Sequence, residues 1–159
     1  MKKLCLITGG SRGIGNGIVK ALCSKGYKVA FTYYEKQNLA EDLEKEIKNS
    51  GGIAKSFHMS LESRSSIRKA LEDVKNHFKE DILVLINNAA ISQEKSFDKI
   101  IDDDWDRMMA VNLRGPFSLI QETIPEMIKK TLEESSIYPP LAVNGEDTIK
   151  SITQLLKQL

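Results

Sequence analysis

Apolar residues recur along the chain in two alternating rhythms. Leu4, Cys5, Leu6 and Ile7 form a short unbroken run, the pattern of a strand covered on both faces. A glycine cluster follows. Ile14, Ile18 and Leu22 then recur at i, i+4 and i+8, predicting one buried helix face that ends at Gly26. Residues 29–34 are rich in β-formers and predict a second strand. Leu39, Leu43 and Ile47 predict a second helix, stopped by Asn49-Ser50-Gly51-Gly52. Residues 54–59 give a weaker strand, and Ile67, Leu71, Val74 and Phe78 mark a third helix. Residues 82–86 are the clearest strand in the chain and end at Asn87-Asn88-Ala89-Ala90. A longer helix is expected from about residues 103–105 to Lys130, with Asp102, Asp103 and Asp104 suiting the positive end of its dipole. Gly115-Pro116 and Pro125 interrupt it, so a kink at each is expected, or a helix in two or three pieces.

The order is β-α-β-α-β-α-β-α. Such alternation implies parallel strands joined by right-handed crossovers, hence an α/β fold with a doubly wound parallel sheet. Sheets of this kind take ligands at the carboxyl ends of their strands, near the point where strand order switches. The glycine cluster and the Asn-Asn-Ala-Ala turn both follow strands, so both are expected on one edge of the sheet. After Lys130 the chain changes character. Residues 131–146 read as a loop, with Glu133-Glu134-Ser135-Ser136, Pro139-Pro140 and a short extended piece at 141–143. Residues 147–159 place Ile149, Ile152, Leu155, Leu156 and Leu159 at helical spacing. That amphipathic helix is read as packing on the same domain, with docking on a partner chain left open.

Composition narrows the function. In 159 residues, 41% are hydrophobic and 28% charged, enough apolar chain for one folded domain. The net charge of +1, with no basic block, argues against nucleic acid or an anionic membrane as partner. No apolar run is long enough to span a bilayer, and no signal peptide is visible, so the cytoplasm is the expected location. Cys5 and Cys23 fall in apolar periodic segments and read as small buried hydrophobes. His58 and His77 have no spaced carboxylate or cysteine partners, so no metal site is expected.

The candidate chemistry lies in Thr8-Gly9-Gly10-Ser11-Arg12-Gly13-Ile14-Gly15, between a strand and a helix. Glycines permit a tight turn and let a bulky anion approach the backbone. The following helix offers unpaired N–H groups and a positive dipole end. A pyrophosphate fits that arrangement, and the strand–turn–helix context makes the signal specific.

The spacing Thr-Gly-x-x-x-Gly-x-Gly, the Asn-Asn-Ala-Ala turn and Trp105-Asp106-Arg107-Met108-Met109-Ala110-Val111-Asn112-Leu113 together resemble the short-chain dehydrogenase/reductase family over roughly residues 1–130. Residues 8–15 and 105–117 look most like its 3-oxoacyl-[acyl-carrier-protein] reductase branch, which works in fatty acid biosynthesis. The resemblance implies a truncated Rossmann-like three-layer α/β/α domain over residues 1–130, with 131–159 divergent. It implies that Gly9, Gly13 and Gly15 shape a dinucleotide loop lined by Ser11, Arg12 and Ile14. Asn88, Ala89 and Ala90 would lie beside the nicotinamide-side ribose, and Ser60 and Leu61 would face the adenine. Ala90 stands where the family usually has Gly, and Ser60 where it usually has Asp. Asn112 matches the family's catalytic-site Asn. The helix carrying it often packs on another subunit in the family, which makes Met109, Phe117 and Ile120 candidates for a homo-oligomer contact or, by the same spacing, for a core face.

An NAD enzyme of this kind holds the ribose 2′-hydroxyl with a carboxylate at the end of the second strand. That position is Tyr33, with Glu35 two residues on, whereas Arg12 offers a positive fork for a 2′-phosphate and Lys36 adds charge. NADP(H) is therefore preferred, with NAD(H) left open. Reducing a carbonyl also needs a proton donor, and a tyrosine serves only when a neighbouring cation lowers its pKa from about 10. The family's Tyr-x-x-x-Lys is missing here. Tyr27, Tyr33, Tyr34 and Tyr138 are followed four residues on by Phe31, Gln37, Asn38 and Ala142. An NADP(H)-dependent oxidoreductase with impaired turnover is the expectation. A non-catalytic NADP(H)-binding module, or a subunit complementing a full-length relative, is the alternative.

Overall fold

A computed structural model describes residues 3–135 of the chain. Four parallel strands alternate with helices: β1 (Leu4–Ile7), α1 (Gly13–Ser24), β2 (Lys28–Tyr33), α2 (Gln37–Asn49), β3 (Ile53–His58), α3 (Arg64–Phe78), β4 (Ile82–Ile86), α4 (Asp102–Met109) and α5 (Gly115–Ser135). A 3₁₀ turn (Phe97–Lys99) precedes α4, and a π-helical turn (Ala110–Arg114) joins α4 to α5. The strand order is β3-β2-β1-β4, so the winding reverses between β1 and β4. This is the expected doubly wound parallel sheet.

Strand periodicity builds the layers. Side chains alternate across a strand, so Leu4 and Leu6 enter one core while Cys5 and Ile7 enter the other. The first core joins Leu4, Leu6 and Ala30 to Ile67 and Val74 of α3 and Leu119 of α5. The second joins Cys5, Ile7, Val29 and Phe31 to Val19 and Leu22 of α1 and Leu43 and Ile47 of α2. The result is helices on both faces of the sheet. Both cysteines are buried free thiols, and burial pushes the Cys5 thiol up to about 12, which keeps it an inert apolar group.

Several expected boundaries and faces shift. β2 and β3 each start one residue earlier than their apolar patterns suggest and pair in register, Lys28 with Ile53 through Tyr33 with His58. The buried face of α1 is Gly15, Val19 and Leu22, not Ile14, Ile18 and Leu22, and Ile14 is 80% exposed. Gly15 has no side chain to register in a hydrophobic pattern, so periodicity alone does not show that it is buried. Leu39 likewise yields its place on α2 to Ala40.

The long helix is two α-helices around a π turn. Pro116 has no N–H for the carbonyl of Asn112, and the Gly115 N–H donates instead to the Ala110 carbonyl, five residues back. Helix α5 runs without a break through Pro125 and on to Ser135, so residues 131–135 are helical rather than loop. The breakers Pro139-Pro140 that suggested an earlier end lie further on. The chain divides into two compact units, Met1–Met127 and Ile128–Leu159. The expected extended piece at 141–143, the helix at 147–159 and its packing lie outside the described residues. Among the described residues no helix is long and apolar enough to cross a membrane.

Candidate functional site

A cavity of about 450 Å³ opens at the carboxyl ends of the strands. Its walls come from the loop between β1 and α1, the ends of β2 and β3, the turn after β4, and the α4–π segment. This is the switch point of the sheet.

The β1–α1 loop is held from below. Thr8 is buried, and its Oγ1 accepts from the backbone N–H groups of Asn88 (3.0 Å) and Ala89 (2.9 Å). The Asn88 Nδ2 donates in return to the carbonyls of Thr8 (2.9 Å) and Gly9 (3.2 Å). From the other side the Gly10 N–H donates to the Thr32 carbonyl at 2.9 Å. Three strand ends thus fix one loop.

The start of α1 then faces the cavity. Its N-cap position is Arg12, and no side chain caps the helix. Gly13 has φ +55, and nothing stands within 4 Å of where its β-carbon would be. Gly15 packs inward, where a β-carbon would lie 2.1 Å from the Gly9 carbonyl oxygen. The loop is therefore bare toward the cavity and tight toward the protein. Unsatisfied helix N–H groups with a positive dipole end, open to a cavity, match an anionic group.

All eleven residues singled out for a cofactor meet in these walls: Gly9, Ser11, Arg12, Gly13, Ile14, Gly15, Ser60, Leu61, Asn88, Ala89 and Ala90. Ile14 is a wall residue here, which accounts for its exposure. Both Glu35 and Lys36 stand at the rim with Arg12, and Tyr33 and Tyr34 line the same end. Sequence reasoning passed over Thr8 as an anchor, Met59 and Val111 as walls, and the ion pair of Glu62 with Arg107, 3.1 Å, in the same lining. No local pattern marks that pair, because 45 residues separate its members.

Asn112 is not a wall residue. It sits in the π turn, where its Oδ1 accepts from the Ile91 N–H (2.9 Å) and its Nδ2 donates to the Ile91 carbonyl (2.8 Å) and to Met108 Sδ (3.0 Å). Both ends of the amide clamp the segment after β4 against the helix. Met109, Phe117 and Ile120 are exposed, which removes the core reading of their spacing. At the head of α4, Asp104 accepts from the Ile101 N–H at 3.1 Å and pairs with Lys95, and that lysine holds its carboxyl below the usual range. The acidic run is a helix start. Among the described residues no group of His, Cys, Asp and Glu is placed to hold a metal.

Four parallel strands in this order, with a glycine loop and an open helix N-terminus at the switch point, define a Rossmann-like α/β protein. The family model described as short chain dehydrogenase matches residues 3–135, and the chain belongs to that family. The 3-oxoacyl-[acyl-carrier-protein] reductase FabG of Staphylococcus epidermidis is 32% identical over 130 residues, covering 82% of this chain and 53% of that protein. The short-chain dehydrogenase/reductase of Serratia marcescens superposes with a TM-score of 0.74 at 34% identity, over 79% of this chain and 51% of that one. A metagenomic short-chain oxidoreductase solved in complex with NADP gives a TM-score of 0.75 at 30% identity, over 80% of this chain and 57% of that one. The chain spans about half the length of the curated relatives it matches.

Proposed function

We propose that this chain binds NADP(H) in the cavity at the switch point and is the cofactor-holding part of an oxidoreductase similar to 3-oxoacyl-[acyl-carrier-protein] reductases. The observation that carries the reading is the uncapped start of α1, with Gly13 facing open space. A diphosphate fits a cradle of that kind, because its oxygens accept from helix N–H groups and no β-carbon obstructs them. Arg12 and Lys36 would receive a 2′-phosphate, and Glu35 is the one carboxylate at that end of the cavity among the described residues. Two cations against one anion favour the phosphorylated dinucleotide over NAD(H).

When bound, the nicotinamide would supply a hydride to a carbonyl carbon or accept one from an alcohol. Thr8 and Asn88 keep the loop in place, and Asn112 acts as a positioning residue through Ile91. The proton for the alkoxide is the missing part. No tyrosine in the sequence has a lysine four residues on, and Tyr33 and Tyr34 line the end of the cavity near Arg12. This favours a second reading beside the first: the chain binds the dinucleotide without turnover, or turns over only with a relative that brings the proton donor.

Calorimetric titration of the full chain with NADPH and NADH tests the proposal. Saturable binding of NADPH, about tenfold tighter than NADH, is the expected result. Absence of heat from either dinucleotide with folded protein would defeat it. Turnover of a β-ketoester by the isolated chain would defeat the second reading.

A further inference from the structure

The two edges of the sheet are finished differently. At the β3 edge, Glu44 of α2 accepts from the Ser56 N–H at 2.6 Å and pairs with Lys55. Charges on an edge strand are a common defence against pairing with another chain. The opposite edge, β4, carries no such defence. Ile82-Leu83-Val84-Leu85-Ile86 has no charge and no proline, and all five residues are half-buried. Among the described residues no strand pairs with its outer side. The Thr8 N–H donates to the Ile86 carbonyl at 3.0 Å, so Ile86 turns its polar backbone groups toward β1. Alternation along the strand then turns those of Leu85 out of the sheet. The register with β1 shifts between Leu4, which faces Ile82, and Cys5, which faces Val84. Leu83 therefore has no partner on β1, and it belongs to neither core.

We propose that β4 pairs edge to edge with β4 of a second copy of this chain, antiparallel about a two-fold axis at Val84. The occupant follows from the order of residues in the strand, which reads the same in both directions. Reversal about Val84 sets Leu83 against the partner's Leu85 and Val84 against the partner's Val84. Apolar cross-strand pairs of this kind stabilise a sheet. The register shift at Leu83 limits the ladder to these central residues. The flanks complement each other as well. Asp81 precedes the strand and Asn87 follows it, so reversal brings each carboxylate toward a side-chain amide donor and away from its like. Asn87 is exposed, and its amide has no hydrogen-bond partner among the described residues. A patch that complements itself across a two-fold axis closes after two copies. The pairing is independent of the dinucleotide reading and does not use the exposed side chains of Met109, Phe117 and Ile120.

Sedimentation equilibrium of the full chain tests the pairing, and the wild type should be a dimer at micromolar concentration. Leu83→Lys puts a charge on the open edge without entering either core, and it should raise the dimer dissociation constant at least about tenfold. Val84→Cys places two thiols at a pair that exchanges no backbone hydrogen bonds, where α-carbons lie about 4.5 Å apart, within disulfide reach. Mild oxidation with diamide should link that variant into covalent dimers and leave the wild type unlinked, since Cys5 and Cys23 are buried. A monomeric wild type overturns the proposal. So does a dimer that Leu83→Lys leaves intact, or one that Phe117→Glu separates and Leu83→Lys does not, which would place the contact on α5. If circular dichroism shows Leu83→Lys to be unfolded, the cross-link decides, and a dimer in which Val84→Cys fails to link overturns the proposal.

Discussion

Thr8 and Asn88, eighty residues apart, exchange hydrogen bonds through backbone and side chain at the ends of β1 and β4. One buried hydroxyl accepts from two amides, and one side-chain amide serves two carbonyls. The pair stands under the glycine loop, so stability and ligand geometry share the same bonds. Thr8→Val keeps the shape and removes the acceptor, leaving two donors short. Each unsatisfied buried group costs about 1–3 kcal/mol. Urea unfolding of Thr8→Val should show a loss in that range, and any dinucleotide affinity should fall with it. A variant as stable as the wild type would mean that the Asn88 side chain and the Gly10 N–H hold the loop without the Thr8 hydroxyl.

Two glycines two positions apart in the chain have opposite surroundings. At Gly15 a β-carbon would strike the Gly9 carbonyl oxygen, whereas at Gly17 nothing lies within 4 Å. Gly15→Ala must therefore move backbone, and it should lower the melting temperature and abolish dinucleotide binding. Gly17→Ala sits in helix interior, where alanine is favoured over glycine by roughly 0.8–1 kcal/mol. It should raise the melting temperature slightly and leave binding unchanged. Thermal melts of both variants decide the matter, and similar effects from the two would contradict this geometry.

Glu44 closes the other edge of the sheet. Its Oε1 accepts from the Ser56 N–H at 2.6 Å and from the Ser56 hydroxyl, and its Oε2 pairs with Lys55 at 2.9 Å. Burial by itself pushes this carboxyl up, but the Ser56 and Lys55 bonds outweigh it and hold the pKa below the usual glutamate range. A depressed folded-state pKa contributes stability above the unfolded value, and that contribution is lost as pH falls through the folded one. Stability measured between pH 6 and about pH 3 should thus decline through this group. Glu44→Gln should be less stable at neutral pH and show a shallower acid decline. An identical acid slope in the variant would remove Glu44 from the account.

Much of this architecture was legible in the chain because two periods suffice for it. Unbroken apolar runs at Leu4–Ile7 and Ile82–Ile86 bounded by turn residues mark strands, the first buried throughout and the second half-buried at the sheet edge, and alternation with helical spacing points to parallel order. The glycine loop was legible because Gly13 and Gly15 have backbone roles that no other residue fills. What escaped detection was long-range or side-chain-free. Gly15 packs on the sheet side of α1 without an apolar side chain, so Ile14 was read in its place. Glu62 and Arg107 meet only after the strands have wound, and no local spacing announces them. Asn112 was marked for chemistry by its motif, yet its amide is spent on the Ile91 backbone, a partner no pattern identifies. The π turn follows from Pro116 only once the helix is known to continue past it.

Arg12 offers the sharpest separation between two cofactors. It occupies the N-cap position of α1 with an exposed side chain at the cavity rim, together with Lys36 and Glu35. The guanidinium makes no capping hydrogen bond to the helix, and the residue is exposed. If it receives a 2′-phosphate, removing it should harm one ligand only. Hydrogen bonds to charged groups are worth about 1.5–3 kcal/mol, or roughly 10–150-fold in affinity. Solvent at the rim places the expectation near the lower end. Arg12→Ala should therefore weaken NADPH about tenfold and leave NADH within about twofold of the wild type. Glu35→Gln should act in the opposite sense, strengthening NADPH by removing a like charge from the neighbourhood of the phosphate. Salt adds an independent check, because a phosphate contact is screened and a hydroxyl contact is not. The preference for NADPH should narrow as ionic strength rises in the wild type, and less steeply in Arg12→Ala, where Lys36 is the remaining cation. Equal losses for both dinucleotides in Arg12→Ala would assign the arginine to the shared diphosphate and withdraw the case for NADP(H).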